Sequence, residues 1–578
     1  MEILAAKPLI VQSDRTLLLD VHAEGAEEAR MAIMPFSELE KSPEHIHTYR
    51  ITPLSLWNAA SAGFSPSDIA EALNRYSRYQ IPSGIVEGFS DTMSRYGKIR
   101  LVSADTGTGG AEAGGRIEAE GADSPALPEE LLLVIGDKGI RAEIEAAKPV
   151  EKLLKKNDRG FSLRLIDRGS VKRELIKLGW PVKDEAPLVK GEDLDIRLRA
   201  TSVSGRPFTP RDYQMEAARS VTGSGRPGSG YGVVVLPCGS GKTIVGMVIM
   251  AALKTNTLIL TTNVTAVHQW IEELLDKTEL GRDQIAEYSG DSKSVAPVTV
   301  ATYQIITWRP GRNADFPHFR IFRERSWGLI IYDEVHLLPA PVFRVAAELQ
   351  AVRRLGLTAT LIREDGAEDA VFSLVGPKRY DVPWKDLEGK GWIAEALCTE
   401  IRLDLPEKLK IPYAVASPRE KCRIAGENPA KEDIVAQLIE NHGDDQILVI
   451  GQYLSQLNGL ARLLKTPLIT GKTPNAERER LYGMFKRGEV RVIVVSRVAN
   501  FAIDLPDASM AIQVSGTFGS RQEEAQRLGR ILRPKRRNAW FFTLVSRYTV
   551  EEDFAANRRK FLAEQGYKYS IQHWTVPE

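Results

Sequence analysis

Short, continuous apolar runs recur from about residue 230 onward, and segments of helical spacing separate them. Each run has the length of a strand but lacks the alternation of a strand that faces water, which is typical of strands buried in a parallel sheet. The runs cover residues 233–236, 257–262, 298–302, 328–332, 446–450, 491–496, 510–515 and 540–545. The pattern predicts an α/β protein with two parallel sheets and crossover helices.

The first hundred residues have a different pattern, which predicts two short strands, three helices and a further strand. These elements fall within residues 9–21, 52–62, 65–76, 82–96 and 98–102. Residues 1–103 are therefore interpreted as a small helical unit. Two interpretations stay open: a winged-helix-like module whose Arg75, Arg78 and Arg95 face DNA, or a protein-docking module with a solvated basic face.

Residues 104–130 are rich in Gly, Ala and acidic side chains, with little apolar surface to bury, so we expect a flexible linker. A second small α/β module is predicted at 131–200. Its elements are a strand at 131–135, a basic helix around 152–156 and a helix at 171–178. The N-terminal part is thus expected to hold small α+β domains.

A Gly, Ser and Pro cluster at 202–210 separates these modules from the apolar runs. The two larger domains are predicted at 205–395 and 396–578. A chain of 578 residues is long enough for three or four domains that each bury a core.

Composition narrows the class of protein. The chain carries a net charge of +1, with 26% charged and 43% hydrophobic residues, so a nucleic-acid site would have to be a local groove. There is no run of 18 apolar residues and no apolar signal core at the N-terminus, so we expect a cytoplasmic protein without membrane contact. The cysteines are too far apart in sequence to suggest a zinc cluster.

A glycine-rich loop joins the run at 233–236 to a predicted helix at 244–253. The candidate ATP-binding residues are Pro237, Cys238, Gly239, Ser240, Gly241, Lys242 and Thr243. Bare glycine backbone lets N–H groups wrap phosphate oxygens, while Lys242 reaches the outer phosphates and Thr243 holds Mg2+. Leu236 stands where the strict pattern has glycine, so the loop matches a shorter form. Taken alone, an ordinary strand-to-helix turn is the alternative.

Two adjacent carboxylates end the apolar run at 328–332. Asp333 is the candidate Mg2+ ligand, and Glu334 is the candidate base that orients and deprotonates the attacking water. His336 would sense the γ-phosphate. A solvated strand end is the alternative, which the pairing with Lys242 disfavours.

Further polar residues have positions suited to nucleotide or DNA. The amide of Gln214 can pair with adenine N6 and N7. Thr262 and Thr302 follow two apolar runs, with Gln269 beyond, and would contact backbone phosphates at one edge of the sheet. Hydroxyls that only cap the next helix are the alternative. Thr358 and Thr360 end another apolar stretch and are assigned to coupling between nucleotide and DNA.

A basic helix is predicted in the last domain. Gln526, Arg530 and Arg533 share one helix face, and no second phosphate loop occurs there. Arginines that reach across a cleft stabilise transferring phosphoryl charge, so we assign these residues to catalysis rather than to a solvated face.

Together, the phosphate loop, Asp-Glu-Val-His at 333–336, Thr-Ala-Thr at 358–360 and Arg-Glu-Asp at 363–365 resemble the XPB helicases of superfamily 2. The resemblance extends over 209–569. It implies two RecA-like lobes, ATP and Mg2+ as cofactors, and a DNA-dependent ATPase in repair with 3' to 5' unwinding or duplex translocation. A structure-specific repair nuclease is an implied partner.

The resemblance also implies roles for residues that the spacing alone does not explain. Arg363, Glu364 and Asp365 would help open DNA, Gly471 and Ser496 would contact it, and Asp504 would contact ATP. A thumb-like insertion is expected near 405–428. Two other functions stay open: an ATP-switched DNA-binding scaffold that opens DNA locally, and an RNA helicase.

Overall fold

The computed structural model describes residues 7–41, 45–103, 130–157, 160–164, 167–185, 191–223, 230–237, 239–311, 317–337, 353–359, 371, 375–376, 378–496, 508–515, 538–564 and 567–574. Four sheets organise this part of the chain, two of them small and two of them seven-stranded. Both seven-stranded sheets are parallel throughout, as the apolar runs predicted.

The first unit has an antiparallel sheet of order β1-β2-β4-β3, with four helices against it. Its elements are β1 (Leu9–Val11), β2 (Thr16–Asp20), α1 (Ala26–Ile33), β3 (Glu38–Lys41), β4 (Ile46–Arg50), α2 (Pro53–Ser61), α3 (Pro66–Tyr76) and α4 (Ile85–Ser94). The three helices predicted here are confirmed. Ser65 caps α3 by accepting a hydrogen bond from the Asp68 N–H, and Pro66 occupies the first turn.

The arginines suggested to face DNA make contacts within the protein. Arg78 donates to Asp20 Oδ2 at 3.1 Å, and Arg95 lies over the ring of Trp180 at 5.3 Å. Arg75 lies over the ring of Tyr76, its chain neighbour. Arg75 is nevertheless exposed, so both interpretations of this unit stay predictions.

The second unit is a five-stranded sheet of order β7-β8-β6-β5-β9. Its elements are β5 (Ile99–Ser103), β6 (Glu130–Ile135), α5 (Lys138–Ala146), α6 (Lys148–Glu151), β7 (Lys155–Asn157), β8 (Gly160–Arg164), α7 (Arg168–Lys177) and β9 (Val182–Asp184).

Two predictions about these small units are wrong. The strand at 98–102 does not close the first unit, because β5 pairs with β6 and β9. The basic helix around 152–156 is absent from the described residues there, because Lys155 and Lys156 pair with Ser162 and Phe161 in an antiparallel ladder. Cross-strand pairing outweighs the helical preference of a short lysine-rich segment.

The first large domain, lobe 1, has the strand order β12-β13-β11-β14-β15-β10-β16. Its elements are α8 (Asp212–Thr222), β10 (Tyr231–Val235), α9 (Lys242–Leu253), β11 (Thr257–Thr261), α10 (Val264–Lys277), β12 (Ile285–Tyr288), β13 (Val298–Thr302), α11 (Tyr303–Ile306), α12 (Ile321–Glu324), β14 (Leu329–Asp333), β15 (Arg353–Thr358), β16 (Lys378–Asp381) and α13 (Trp384–Gly389). The segment ahead of α8 lies against this lobe, since Leu194 donates to the Lys254 carbonyl and Arg199 to that of Lys277.

The second large domain, lobe 2, has the order β19-β20-β18-β21-β22-β17-β23. Its elements are β17 (Ala396–Leu403), α14 (Glu407–Val415), α15 (Pro418–Gly426), α16 (Ala430–Asn441), β18 (Ile447–Gly451), α17 (Leu454–Leu463), β19 (Leu468–Ile469), α18 (Asn475–Lys486), β20 (Val492–Ser496), β21 (Met510–Gln513), β22 (Ala539–Ser546), α19 (Val550–Glu564) and β23 (Lys568–Trp574). The segment predicted as a thumb holds the helix pair α14 and α15.

The units pack on one another through apolar side chains. Leu54 and Trp57 of the first unit and Ile176 of the second lie against the lobe 1 core. Between the lobes, the rings of Trp384 and Tyr567 meet edge to face, with centroids 5.5 Å apart. No helix in the described ranges is long and apolar enough to cross a membrane.

Candidate functional site

Three neighbouring strands of lobe 1 end at the same edge of the sheet. In the parallel register Val235 of β10 pairs with Thr358 of β15, and Leu357 pairs with Asp333 of β14. The Leu236 N–H donates to the Thr358 carbonyl at 3.0 Å. The glycine-rich loop, the hydroxyl of Thr358 and the carboxylates therefore meet at one edge, where open α/β sheets bind ligands.

The loop after β10 has the backbone that close approach to phosphate requires. Gly239 and Gly241 have φ values of 79° and 81°, in the left-handed region that favours glycine. A Cβ on Gly241 would lie 2.6 Å from Gln214 Nε2, so there is no room for a larger residue. Helix α9 begins directly at Lys242, so the positive end of the helix dipole lies at this loop.

Gln214 holds the glycine-rich loop through hydrogen bonds. Its Oε1 accepts a hydrogen bond from the Arg211 N–H at 2.9 Å, and its Nε2 donates to the Ser240 carbonyl at 2.8 Å. The side chain is only 4% exposed. Adenine recognition by this amide therefore requires it to exchange the partners it has here, and that role stays a prediction.

Asp333 is held by neighbours on two sides. Its Oδ2 accepts from Trp270 Nε1 at 3.0 Å and its Oδ1 from the Glu334 N–H at 3.0 Å. Burial and the negative charge of Glu334 raise the pKa of Asp333 to about 6, against the lowering effect of the Trp270 hydrogen bond and the Lys242 charge. A bound cation would stabilise the ionised form of a buried carboxylate that is otherwise costly to ionise.

Glu334 and His336 form a second polar group beside it. Glu334 has a left-handed backbone with φ of 52°, which turns the chain sharply after β14. His336 Nδ1 lies 3.3 Å from Glu334 Oε2 and 2.9 Å from Thr358 Oγ1. His336 is 2% exposed and Thr358 is fully buried, so the acidic strand end and the end of β15 are joined by one buried contact.

The donor set fits Mg2+ bound together with a nucleotide. Thr243 offers a hydroxyl and Asp333 a carboxylate, while no cluster of three or more His, Cys, Asp or Glu side chains occurs among the residues described. Mg2+ commonly binds through one or two protein oxygens and substrate phosphates, rather than in a cage of side chains.

The residues predicted to contact DNA have mixed settings. Thr302 is 4% exposed, and its hydroxyl accepts from the Ile305 N–H as the cap of α11, which matches the alternative interpretation. The Thr262 hydroxyl accepts from Asn263 Nδ2, and Gln269 lies on α10. In lobe 2, Ser496 is buried at the end of β20 and Gly471 is exposed after β19.

Several predicted residues lie outside the described part of the chain, and their roles stay predictions. They are Cys238, Thr360, Arg363, Glu364, Asp365, Asp504, Gln526, Arg530 and Arg533.

Sequence reasoning missed three residues at this edge. Trp270 donates to the Asp333 side chain, and the Tyr303 hydroxyl donates to the Asp333 carbonyl at 2.9 Å. Neither residue belongs to a sequence motif that indicates this role. His268 contacts Glu287 of lobe 1 at 3.1 Å and Glu479 of lobe 2 at 2.9 Å. Their signal in the sequence is only that Trp270 and His268 lie on the helix after the run at 257–262.

Three family descriptions match parts of the chain. They are "Helicase conserved C-terminal domain" at residues 9–108, "Type III restriction enzyme, res subunit" at 207–363 and "ERCC3/RAD25/XPB C-terminal helicase" at 387–576. The second of these contains the glycine-rich loop and both carboxylates, and the third covers most of lobe 2.

Similar proteins match over nearly the full chain. The "DNA 3'-5' helicase XPB" of Mycobacterium tuberculosis is 49% identical, covering 98% of this chain and 97% of that protein. The protein of the same name from Kineococcus radiotolerans is 48% identical, with 98% and 96% covered. A "General transcription and DNA repair factor IIH helicase/translocase subunit XPB" from Antonospora locustae is 33% identical, with 97% and 81% covered. With such identity across almost the whole of both proteins, the chain belongs to the XPB family of helicases.

Proposed function

We propose that this chain is an ATP-dependent DNA helicase that moves 3' to 5' or translocates on duplex DNA in repair. The observation that carries the proposal is the single edge of lobe 1 where loop, carboxylates and Thr358 meet, with lobe 2 in contact through His268 and Glu479. ATP binding and release at such an edge can open and close two lobes on a nucleic acid.

The residues divide the work of hydrolysis. Lys242 and the N-terminus of α9 bind phosphate charge, and Glu334 orients and deprotonates the attacking water. Thr243 and Asp333 would hold Mg2+, which when bound neutralises phosphoryl charge as it develops. Gln526, Arg530 and Arg533 are proposed to complete the cleft from lobe 2, a contribution of about 10³ to 10⁵ in rate where arginines act in this way.

Coupling to DNA is proposed to pass through His336 and Thr358. His336 touches the catalytic Glu334 and the end of β15 at once, so a shift of Glu334 on hydrolysis displaces β15. Thr360 and the Arg363, Glu364 and Asp365 triplet follow that strand in sequence and are proposed to relay the change to DNA.

ATP turnover tests the proposal when it is measured without nucleic acid and with single-stranded, forked and duplex DNA and with RNA. Strand displacement on 3'- and 5'-tailed duplexes accompanies it. Low salt is needed, because a protein that contacts six to ten phosphates loses roughly 10³ to 10⁵ in affinity between 50 and 200 mM salt. DNA-stimulated turnover with displacement of the 3'-tailed substrate is the expected result.

Other outcomes separate the alternatives. Stimulation by duplex without displacement would favour translocation or a switch that opens DNA locally, and stimulation by RNA alone would overturn the substrate. Lys242→Ala and Glu334→Gln are the matched inactive variants, and only Glu334→Gln should keep ATP binding. Normal turnover in either variant would contradict the assigned site.

A structure-specific repair nuclease is proposed as a partner on the resemblance to XPB proteins alone. Cytoplasmic location is proposed from the lack of a long apolar run in the sequence. Co-purification of the full chain with such a nuclease, and a change in cleavage of forked DNA when both are present, would test the partnership.

A further inference from the structure

Trp308 is unusual among the tryptophans of this protein. All nine tryptophans lie in the described part of the chain, and Trp308 alone has a mostly exposed side chain, at 52%. Tryptophan offers the largest apolar surface of any side chain, and at interfaces it often supplies the contact that binding needs. An exposed indole on a rigid support is therefore a candidate contact residue.

The support is a short row of aromatic rings. Trp308 meets the ring of His318 with centroids 5.9 Å apart, and His318 meets the ring of Tyr288 at 5.7 Å. The Tyr288 hydroxyl and His318 Nδ1 are 2.9 Å apart, and Tyr288 is fully buried at the end of β12. Burial and the charges of Lys293 and Arg320 lower the pKa of His318, which favours the neutral ring.

Positively charged side chains lie beside this row. Lys293, Arg309 and Arg320 are exposed at or beside it. Among the described residues, Glu324 lies 3.2 Å from Arg320 Nε, Asp291 is exposed near Lys293, and Glu287, next to Tyr288, pairs with His268. An aromatic face with a mainly cationic rim is the combination that proteins use for unpaired nucleotides, where bases stack on the ring and phosphates meet the cations.

The aromatic row also lies at the ends of β12 and β13, the sheet edge where the sequence predicted contacts with backbone phosphates. Tyr288 ends β12 and Thr302 ends the neighbouring β13, and Trp308 follows the one-turn helix that Thr302 caps. Gln304 of that helix donates to the Thr262 carbonyl at 2.7 Å, which ties it to the end of β11. The indole thus lies along the same sheet edge as Thr262 and Thr302.

We propose that Trp308, supported by His318 and Tyr288, is a stacking platform for an unpaired base of the tracked DNA strand, with Lys293, Arg309 and Arg320 on its phosphates. The proposal rests on the proposed function, because it adds a contact to the same DNA path.

The test measures binding of a fluorescently labelled oligothymidylate to the full chain by anisotropy at low salt without nucleotide. Trp308→Leu keeps an apolar side chain but removes the ring, and we expect Kd to rise roughly 5- to 150-fold, as for one lost base stack. Trp308→Phe should stay within about threefold of the natural protein. Tyr79→Leu removes another exposed ring, 41% exposed in the first unit, and should leave Kd unchanged.

An oligonucleotide with abasic sites provides the decisive comparison. The loss caused by Trp308→Leu should vanish on the abasic strand, because no base is left to stack. Arg309→Gln should instead weaken both strands alike and reduce the salt slope by about 1, as for one lost phosphate contact.

Three outcomes would overturn the platform. They are an unchanged Kd in Trp308→Leu, an equal loss on the abasic strand, and a change in self-association of the chain without a change in DNA binding. Failure of the proposed function is a separate result, since it appears as a natural protein whose ATP turnover no DNA stimulates. Basal turnover without DNA should be the same in Tyr79→Leu and the natural protein.

Discussion

The indole N–H of Trp270 donates to Oδ2 of Asp333 at 3.0 Å, and this bond joins helix α10 to the acidic end of β14. The ring itself is buried, at 2% exposure, and rests on helix α9, the helix that begins at Lys242. One side chain thus fixes the distance between the loop helix and the carboxylate.

Trp270→Phe should keep the ring and lose the hydrogen bond. A hydrogen bond to a charged group contributes about 1.5–3 kcal/mol, so the Mg2+ concentration for half-maximal ATP turnover should rise about 10- to 150-fold. Trp327→Phe is the matched control, because the indole of Trp327 is equally buried and donates to the Ile321 carbonyl. An unchanged Mg2+ requirement in Trp270→Phe would show that the bond does not position Asp333.

Gly246 provides the space for that indole. A Cβ on Gly246 would lie 2.7 Å from Trp270 Cη2, although alanine normally stabilises a helix interior by up to about 1 kcal/mol over glycine. Gly246→Ala should therefore lower the free energy of unfolding by about 1–3 kcal/mol, measured by urea titration. Gly459→Ala is the control, since its Cβ would meet only the flexible end of Glu432, 3.0 Å away. A stabilised Gly246→Ala protein would show that the ring can move aside.

If the contact between His336 and Thr358 couples the ATP site to DNA, its loss should reduce the stimulation of ATP turnover by DNA but not basal turnover. Thr358→Val keeps the shape and removes the hydroxyl 2.9 Å from His336 Nδ1. Since one hydrogen bond contributes about 0.5–1.5 kcal/mol, the stimulation of ATP turnover by DNA should fall roughly 2- to 12-fold, with basal turnover nearly intact. Thr257→Val makes the same change at the far end of β11, where the hydroxyl bonds the Thr255 carbonyl, and should leave stimulation unchanged. Full stimulation in Thr358→Val would exclude this contact from coupling.

The parallel strands could be predicted from the sequence because burial on both faces removes polar residues from them. The runs at 257–262 and 298–302 appear as β11 and β13 within one residue. β17 and β23 were missed, since their runs, such as Ala-Leu-Cys-Thr-Glu-Ile-Arg-Leu at 396–403, include polar residues. Partners at long range could not be predicted either: β5 finds β6 across residues 104–129, and nothing local in either strand specifies that pairing.

For the site, the sequence indicated the groups that are proposed to perform chemistry and missed those that hold them. Lys242, Asp333 and Glu334 follow a spacing that phosphate chemistry imposes. Trp270 and Tyr303 position Asp333, and Gly246 leaves space for the indole. Many residue types at other spacings could fill such supporting roles. Such roles become visible only when the helices are placed against the sheet.

His268 joins the two lobes through carboxylates on both sides of its ring. Nε2 lies 3.1 Å from Glu287 Oε2 on β12, and Nδ1 lies 2.9 Å from Glu479 Oε1 on α18. Ionised carboxylates only accept hydrogen bonds, so this arrangement favours the charged ring, in which both nitrogens donate. Burial alone would lower the pKa of His268, but the hydrogen bond to Glu479 and the charges of Glu287 and Glu479 outweigh it and raise the pKa above its ordinary value.

This contact predicts that lobe closure depends on pH. The pKa of His268 is raised when the ring contacts both lobes. The contact is therefore fully present below about pH 6.5, the ordinary pKa of histidine, and weakens as pH rises through the raised pKa. Without nucleotide, a distance measured between labels on the two lobes should therefore lengthen as pH rises, and His268→Gln should abolish that dependence. Glu479→Gln should return the pKa of His268, followed by NMR, toward its ordinary value. Glu477→Gln, on the same helix but paired with Arg480, should have no effect. A pH-independent lobe distance in the natural protein would mean that other contacts hold the lobes together.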